Sequence, residues 1–282
     1  MYGDVAMRPF SRKKLAAALG ASALFFVFSI AATALAGRFA LPLIGAAACF
    51  GAVLLAFLIE RRIQDRIAEA RMLNEATVAL YHALQPIAPL PPMQDYAVAP
   101  DSALLLHTLV RDAAPQVVVE TGSGVSTLVI AYALKALGKG TLIALEVDEG
   151  YARRTREEVA RHDLADWVTV VHAPLRDVVV DGRTYRWHDA RVLDDVPAID
   201  LVFDDGPPLY LGPGLRHAAL PLLQPKLAPN AVYCLNYVAA EERRNVARWL
   251  ARDPELRAEW LGTEKGNVIL RRAKLILRPH DD

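Results

Sequence analysis

Glu120-Thr121-Gly122-Ser123-Gly124-Val125-Ser126-Thr127 follows an apolar triplet, Val117-Val118-Val119, and opens an amphipathic run. That order reads as strand, tight loop and helix start. Glycines let the backbone approach a ligand closely, and a helix start offers free N–H groups. Glu146 lies 22 residues beyond Gly124, at the end of the next apolar run. An acid at that distance is placed to accept hydrogen bonds from ribose hydroxyls. The loop departs from the dinucleotide fingerprint, because its third glycine is Thr127 and an acid, Glu120, precedes it. Both count against the pyrophosphate of NAD or FAD. They suit an adenosine ligand with a cationic centre and an amino acid tail, a description that fits S-adenosylmethionine.

A second acidic group, Asp204-Asp205-Gly206-Pro207-Pro208, follows a later apolar run. Asp205 can serve as a base, a metal ligand or a contact for the cofactor's amino group. Adjacent strand residues point to opposite faces, so Asp204 and Asp205 are not expected to pair closely. His172, His188 and His217 are the histidines near these motifs, and histidine is a common acid–base group. His217, in the Pro-rich segment after the acids, is the candidate for a second catalytic group. No CxxC or HExxH spacing occurs, so neither a structural nor a protease-type zinc site is expected.

The elements that must position these residues alternate short apolar runs with amphipathic ones from about residue 100, the pattern of a doubly wound α/β sheet. Strands are expected at residues 117–119, 141–145, 167–171, 199–203 and 231–235, with a closing antiparallel pair at 256–261 and 267–270. Helices are expected at 126–137, 150–162 and 239–251. Asp181-Gly182 between β-prone runs marks an inserted hairpin over residues 178–187.

Glu-Thr-Gly-Ser-Gly-Val-Ser-Thr, Leu-Glu-Val-Asp and Asp-Gly-Pro-Pro, at 120–127, 145–148 and 205–208, together resemble the class I S-adenosylmethionine-dependent methyltransferases. The resemblance is to a bacterial subgroup with E-x-G-S-G-x-S-T and D-G-P-P motifs, and it covers roughly residues 100–272. It implies a Rossmann-like seven-stranded sheet with the last strand antiparallel, and O-methylation of a small-molecule, glycan or lipid-linked acceptor. By similarity, Glu120, Gly122, Gly124 and Ser126 line the methionine and ribose side, with Asp204 beside them. Glu146 holds the ribose hydroxyls, and the stretch around Ala173 borders the adenine. The family commonly has an acid at the end of strand five, where this chain has Asn236. Hard cations usually rest on carboxylates, so a divalent metal is in doubt. Two other readings stay open: a non-catalytic scaffold with the same fold, and another nucleotide enzyme such as an NAD-dependent dehydrogenase.

The 282 residues carry 32 Lys+Arg, 32 Asp+Glu and 54% hydrophobic residues. The absence of a basic excess argues against nucleic acid as a partner. The apolar excess is concentrated at the start. Leu15–Gly37 and Phe39–Ile59 are free of charge and separated by Arg38. Each has about the 20 apolar residues that a membrane span takes. The expectation is therefore an all-α transmembrane hairpin over 15–59 behind a basic N-terminus, 1–14. A juxtamembrane helix and Pro-rich linker would fill 60–99, and the methyltransferase domain 100–282. Arg12-Lys13-Lys14, an apolar stretch and Ala34-Leu35-Ala36 also have the form of a cleavable secretory signal. Either way the Arg-rich flanks place the large domain on the cytoplasmic side of the inner membrane, with the lipid bilayer as a partner. Ile63, Ala70, Thr77 and Leu84, with Leu73 and Leu80 between them, outline a heptad seam for a homodimer. An amphipathic helix lying on its own domain or on the membrane is the alternative.

Overall fold

The computed structural model describes Val27 and residues 40–212 and 214–272. The chain divides into two compact units, Met1–Arg71 and Met72–Asp282. The basic N-terminus, the first apolar run apart from Val27, and the turn at 37–39 lie outside the described residues. The second apolar run is not an element of its own. It is the front of α1 (Ala40–Leu84), a helix of 45 residues that continues unbroken through Glu60-Arg61-Arg62. Among the described residues no helix is long and apolar enough to cross a membrane. The transmembrane hairpin, the bilayer as a partner and the inner-membrane location are corrected accordingly. The difference lies in the continuity of the helix: nothing in the sequence breaks it where the apolar run meets Glu60-Arg61-Arg62, so apolar and charged residues share one element.

The separate juxtamembrane helix is corrected too, because residues 60–84 are the back of α1. Leu80 and Leu84, two members of the expected seam, are buried in the core of the second unit with Leu106 and Leu128. Side chains committed to their own core cannot line a dimer seam, and the homodimer through this helix is withdrawn. The helix lies on its own domain at this end, as in the alternative reading.

In the second unit, α2 (Pro100–Ala113) leads into β1 (Val117–Thr121), α3 (Val125–Leu137), β2 (Thr141–Glu146), α4 (Glu149–Arg161) and β3 (Val168–His172). A hairpin of β4 (Leu175–Val180) and β5 (Arg183–His188) follows. Then come β6 (Ile199–Asp204), the short α5 (Ala219–Leu223), β7 (Leu227–Asn236), α6 (Ala240–Arg252), β8 (Leu256–Leu261) and β9 (Asn267–Arg272). Seven strands form one sheet in the order β3-β2-β1-β6-β7-β9-β8. Only β9 runs against the rest. The Rossmann-like sheet expected from the sequence is thus present, including its closing antiparallel strand. The hairpin and β7 are longer than expected, and α2 was not among the expected helices.

Strand side chains alternate between two cores. Val118, Phe203 and Cys234 face the layer of α2, α3 and α4. Val119, Val202, Tyr233 and Leu235 face the layer that contains the hairpin's Trp187 and the α6 residues Val246 and Trp249. Burial on both faces explains why the central strands read as continuous apolar runs. The strand order reverses beside β1, whose neighbours are β2 and β6. Such a switch point opens a crevice at the carboxyl ends of the strands, where ligands of this fold class bind. The acidic motifs lie at those ends.

Candidate active site

Glu120 is the second-last residue of β1 and is fully buried. Its Oε2 accepts a hydrogen bond from Thr127 Oγ1 at 2.6 Å, across the glycine loop. Thr127 Oγ1 in turn accepts from the Gly124 N–H at 2.9 Å. Oε1 of Glu120 is buried and has no hydrogen-bond partner among the described residues. Burial pushes this carboxyl up to about 8, and the hydroxyls of Ser126 and Thr127 oppose the shift only in part. Ser126, in the first turn of α3, is itself buried. Gly124 sits at φ +156 and ψ −135, in backbone space that is essentially glycine's alone. A Cβ there would meet nothing within 4 Å, so the position faces open space.

The loops after β1 and β6 are sewn together. Thr121 Oγ1 donates to Asp204 Oδ1 at 2.9 Å and accepts from the Gly206 N–H at 3.1 Å. A Cβ on Gly206 would stand 2.9 Å from the Gly122 nitrogen, which explains the glycine in the Asp-Gly pair. Asp204 is fully buried, and its second oxygen accepts from the Tyr233 hydroxyl. With both oxygens taken, Asp204 braces β1, β6 and β7 from beneath the loop.

Asp205, the first residue after β6, is directed elsewhere, toward Arg216. Burial raises its carboxyl to about 6, while the Arg216 charge and the Asn236 side chain oppose the shift. Arg216 stands 3.7 Å from Asp205 Oδ1 and is buried. Its guanidinium donates to the carbonyls of Pro207 (3.2 Å), Asn236 (3.0 Å) and Asp205 (2.9 Å). Asn236 ends β7 with its Oδ1 accepting from Asn267 Nδ2 at 3.1 Å. The amide oxygen thus already accepts one hydrogen bond within the fold. Among the described residues no group of three or more His, Cys, Asp or Glu is placed to hold a metal ion.

Glu146 ends β2 and is buried. It accepts from Ser123 Oγ at 2.9 Å and from the Asp148 N–H at 3.1 Å. Burial raises its carboxyl, and these donors hold it back. Ser123 Oγ also lies 3.0 Å from Thr155 Oγ1, so the loop and α4 share one polar chain. Ala173 follows β3, and its N–H donates to the Glu146 carbonyl at 2.7 Å. Its own carbonyl lies 3.3 Å from His188 Nδ1, in a buried contact, and burial drives His188 down to about 4.

The structure thus brings Glu120, Gly122, Gly124, Ser126, Glu146, Ala173, Asp204 and Asp205 to one edge of the sheet. It does not bring His217 there. His217 packs 5.1 Å from the Tyr185 ring and stacks at 6.4 Å on Trp249, in a cavity lined by none of the strand-end carboxylates. His172 is partly exposed beside Glu149, 3.5 Å away. Sequence reasoning missed Ser123, Tyr233 and Arg216 as parts of the site. Ser123 lies inside the motif, but Tyr233 and Arg216 carry no spacing signal.

A family model described as a methyltransferase domain matches residues 119–236, from β1 through the end of β7. No curated protein matches the chain. Among solved structures, the O-methyltransferase TomG from Streptomyces achromogenes, involved in tomaymycin synthesis and in complex with SAM, is 19% identical. It is covered over 89% of its chain and 71% of this one, with a TM-score of 0.48. The O-methyltransferase from Bacillus cereus in complex with SAH is 18% identical, with 90% and 71% covered and a TM-score of 0.48. A methyltransferase from Geobacter sulfurreducens is 18% identical, with 89% and 71% covered and a TM-score of 0.47. Likeness at this level carries no functional weight.

Proposed function

We propose that the chain is an S-adenosylmethionine-dependent methyltransferase that transfers to an oxygen of a small-molecule or glycan acceptor. The observation that carries this reading is the pair of buried carboxylates, Glu120 and Glu146, at adjacent strand ends around a glycine loop, within the span matched by a methyltransferase-domain model. The residues fit such a ligand. Glu120 Oε1 is a buried acceptor without a donor among the described residues, and Gly124 leaves open space above the loop. A buried acid suits a cationic ligand and repels a pyrophosphate, which favours this reading over a dehydrogenase. Glu120, Gly122, Gly124, Ser126, Glu146 and Ala173 would hold the cofactor, which when bound supplies an electrophilic methyl group on a sulfonium.

The protein's part is alignment and proton removal. Asp205 takes the acceptor hydroxyl's proton on its carboxylate. Its raised value, about 6, still leaves it mostly ionised at pH 7. Arg216 and Asn236 keep the anion in place beside the loop. Asp205→Asn should therefore retain most cofactor affinity and lose turnover by about 100-fold or more, the size of a general-base contribution. Comparing S-adenosylhomocysteine affinity with product formation over an acceptor panel tests this. A variant that loses both equally would move Asp205 to the cofactor side.

Glu146→Ala should weaken S-adenosylhomocysteine binding by roughly ten- to a hundredfold, from the loss of a charge-assisted pair worth about 1.5–3 kcal/mol. Titration calorimetry reads the change. Unchanged affinity in a folded variant would count decisively against Glu146 as the ribose anchor, and no binding by the wild type would sink the methyltransferase reading.

A further inference from the structure

A second cavity, of about 490 Å³, is bounded by the hairpin and α6 and shares no residue with the strand-end carboxylates. Arg183, Arg248 and Arg252 line it, together with Tyr185, His217 and Trp249. We propose that this cavity binds a small phosphorylated aromatic molecule, with the phosphate among the three arginines and the ring against Tyr185, over the buried His217–Trp249 stack. The proposal stands apart from the methyltransferase reading.

The geometry supplies both halves of the recognition. Arg248 and Arg252 are one helical turn apart on α6 and so share a face. Arg183 and Tyr185 are two residues apart on β5 and share a face of the hairpin. Two elements thus present cations and aromatic surface to the same space. Asp181 also lines the cavity and pairs with Arg252. Three guanidinium groups against one carboxylate leave two positive charges, which matches the dianion of a phosphate monoester near neutral pH. Guanidinium groups are the side chains best shaped to hold phosphate through paired hydrogen bonds.

The floor is aromatic and incompletely satisfied. The rings of His217 and Trp249 are within 14° of parallel, and Tyr185 leans on His217 at 5.1 Å. His217 is only 7% exposed, with Asn245 beside it, and its Nδ1 has no hydrogen-bond partner among the described residues. Trp249 Nε1 donates to the His217 carbonyl at 3.1 Å, which fixes the stack. Burial first, and then the Arg248 charge, lower the imidazole's affinity for a proton. The volume falls within the range of small-molecule sites, about 300–1,000 Å³.

Calorimetric titration of the full chain with phenyl phosphate, inorganic phosphate and phenol tests the site. Phenyl phosphate should bind at least tenfold more tightly than either fragment. Arg183→Gln with Arg248→Gln should weaken it at least tenfold and leave thermal unfolding and S-adenosylhomocysteine binding unchanged. Both arginines are exposed, so the fold should tolerate the pair. Tyr185→Leu should narrow the preference for phenyl phosphate over inorganic phosphate while sparing the latter. Absence of binding at millimolar phenyl phosphate, equal binding of inorganic phosphate, or unchanged affinity in the folded double variant would each overturn the proposal. Loss of S-adenosylhomocysteine binding alone would bear on the methyltransferase reading and not on this cavity.

Discussion

Glu120→Gln should give a protein that is more stable at pH 8 than the wild type and binds S-adenosylmethionine at least tenfold more weakly. Glu120 is buried, and its carboxyl is raised from 4.5 to about 8 in the folded chain. The folded state therefore holds a proton that the unfolded chain releases above about pH 4.5. Stability contributed by the protonated form is complete below that value and is lost as pH rises toward 8, because the unfolded state binds fewer protons. Glutamine keeps an acceptor for Thr127 Oγ1 and has no proton to lose. The gain in stability near pH 8 should be about 1–3 kcal/mol, discounted from the full linkage of 1.36 kcal/mol per pKa unit. It should vanish at pH 4. The cost falls on binding, since an ionised Glu120 is what a cationic ligand meets. Wild-type binding at pH 7 should release close to one proton, seen as a heat that changes with buffer ionisation enthalpy, and affinity should climb between pH 6 and 8. The variant should show neither trend and bind at least tenfold more weakly, as for a lost charge-assisted bond of about 1.5–3 kcal/mol. A variant with wild-type affinity and wild-type proton release would remove Glu120 from the ligand site.

The place of Glu120 was legible in the sequence because a glycine loop between a strand and a helix is local. Strand, glycines and helix start are contiguous, and Glu146 lies at a fixed distance set by one βαβ unit. The sheet was legible for a similar reason: Val118 and Val119 face different cores, so the central strands must be apolar throughout. What failed was long-range or contextual. Hydropathy alone does not show whether residues 39–59 end where the charges begin, and in the structure the helix continues to Leu84. Heptad spacing does not distinguish a partner's seam from a seat on the same domain, and Leu80 takes the latter. His217 looked catalytic because it follows the acidic motif in sequence. The segment between them carries it to Tyr185 and Trp249, while its neighbour Arg216 turns toward Asp205. A single arginine between Leu215 and His217 has no pattern that separates it from a surface residue.

That arginine should nevertheless be the most damaging side chain to remove. Arg216 is 4% exposed and ties three carbonyls from two loops, those of Asp205 and Pro207 after β6 and of Asn236 after β7. Its charge is the first influence opposing the burial that raises both Asp204 and Asp205. Arg216→Met would leave the carbonyls without their donor and the two carboxylates without their counter-charge. Breaking a buried pair from one side costs about 3–5 kcal/mol. At about 2–4 °C per kcal/mol for a domain of this size, the melting temperature should fall by roughly 6–20 °C. Arg216→Lys keeps the charge, but one ammonium cannot span three carbonyls in the guanidinium's fork, so it should fall between the two. The lysine variant carries the functional test if the methionine variant fails to fold. A weaker counter-charge raises the Asp205 carboxyl above about 6. Turnover that needs ionised Asp205 rises with pH through that value, so the acid limb of the pH–rate profile should move to higher pH in the lysine variant. A purely structural arginine would lower stability and leave that limb where it is. An unmoved limb in a folded, active Arg216→Lys enzyme would therefore separate Arg216 from the chemistry of Asp205.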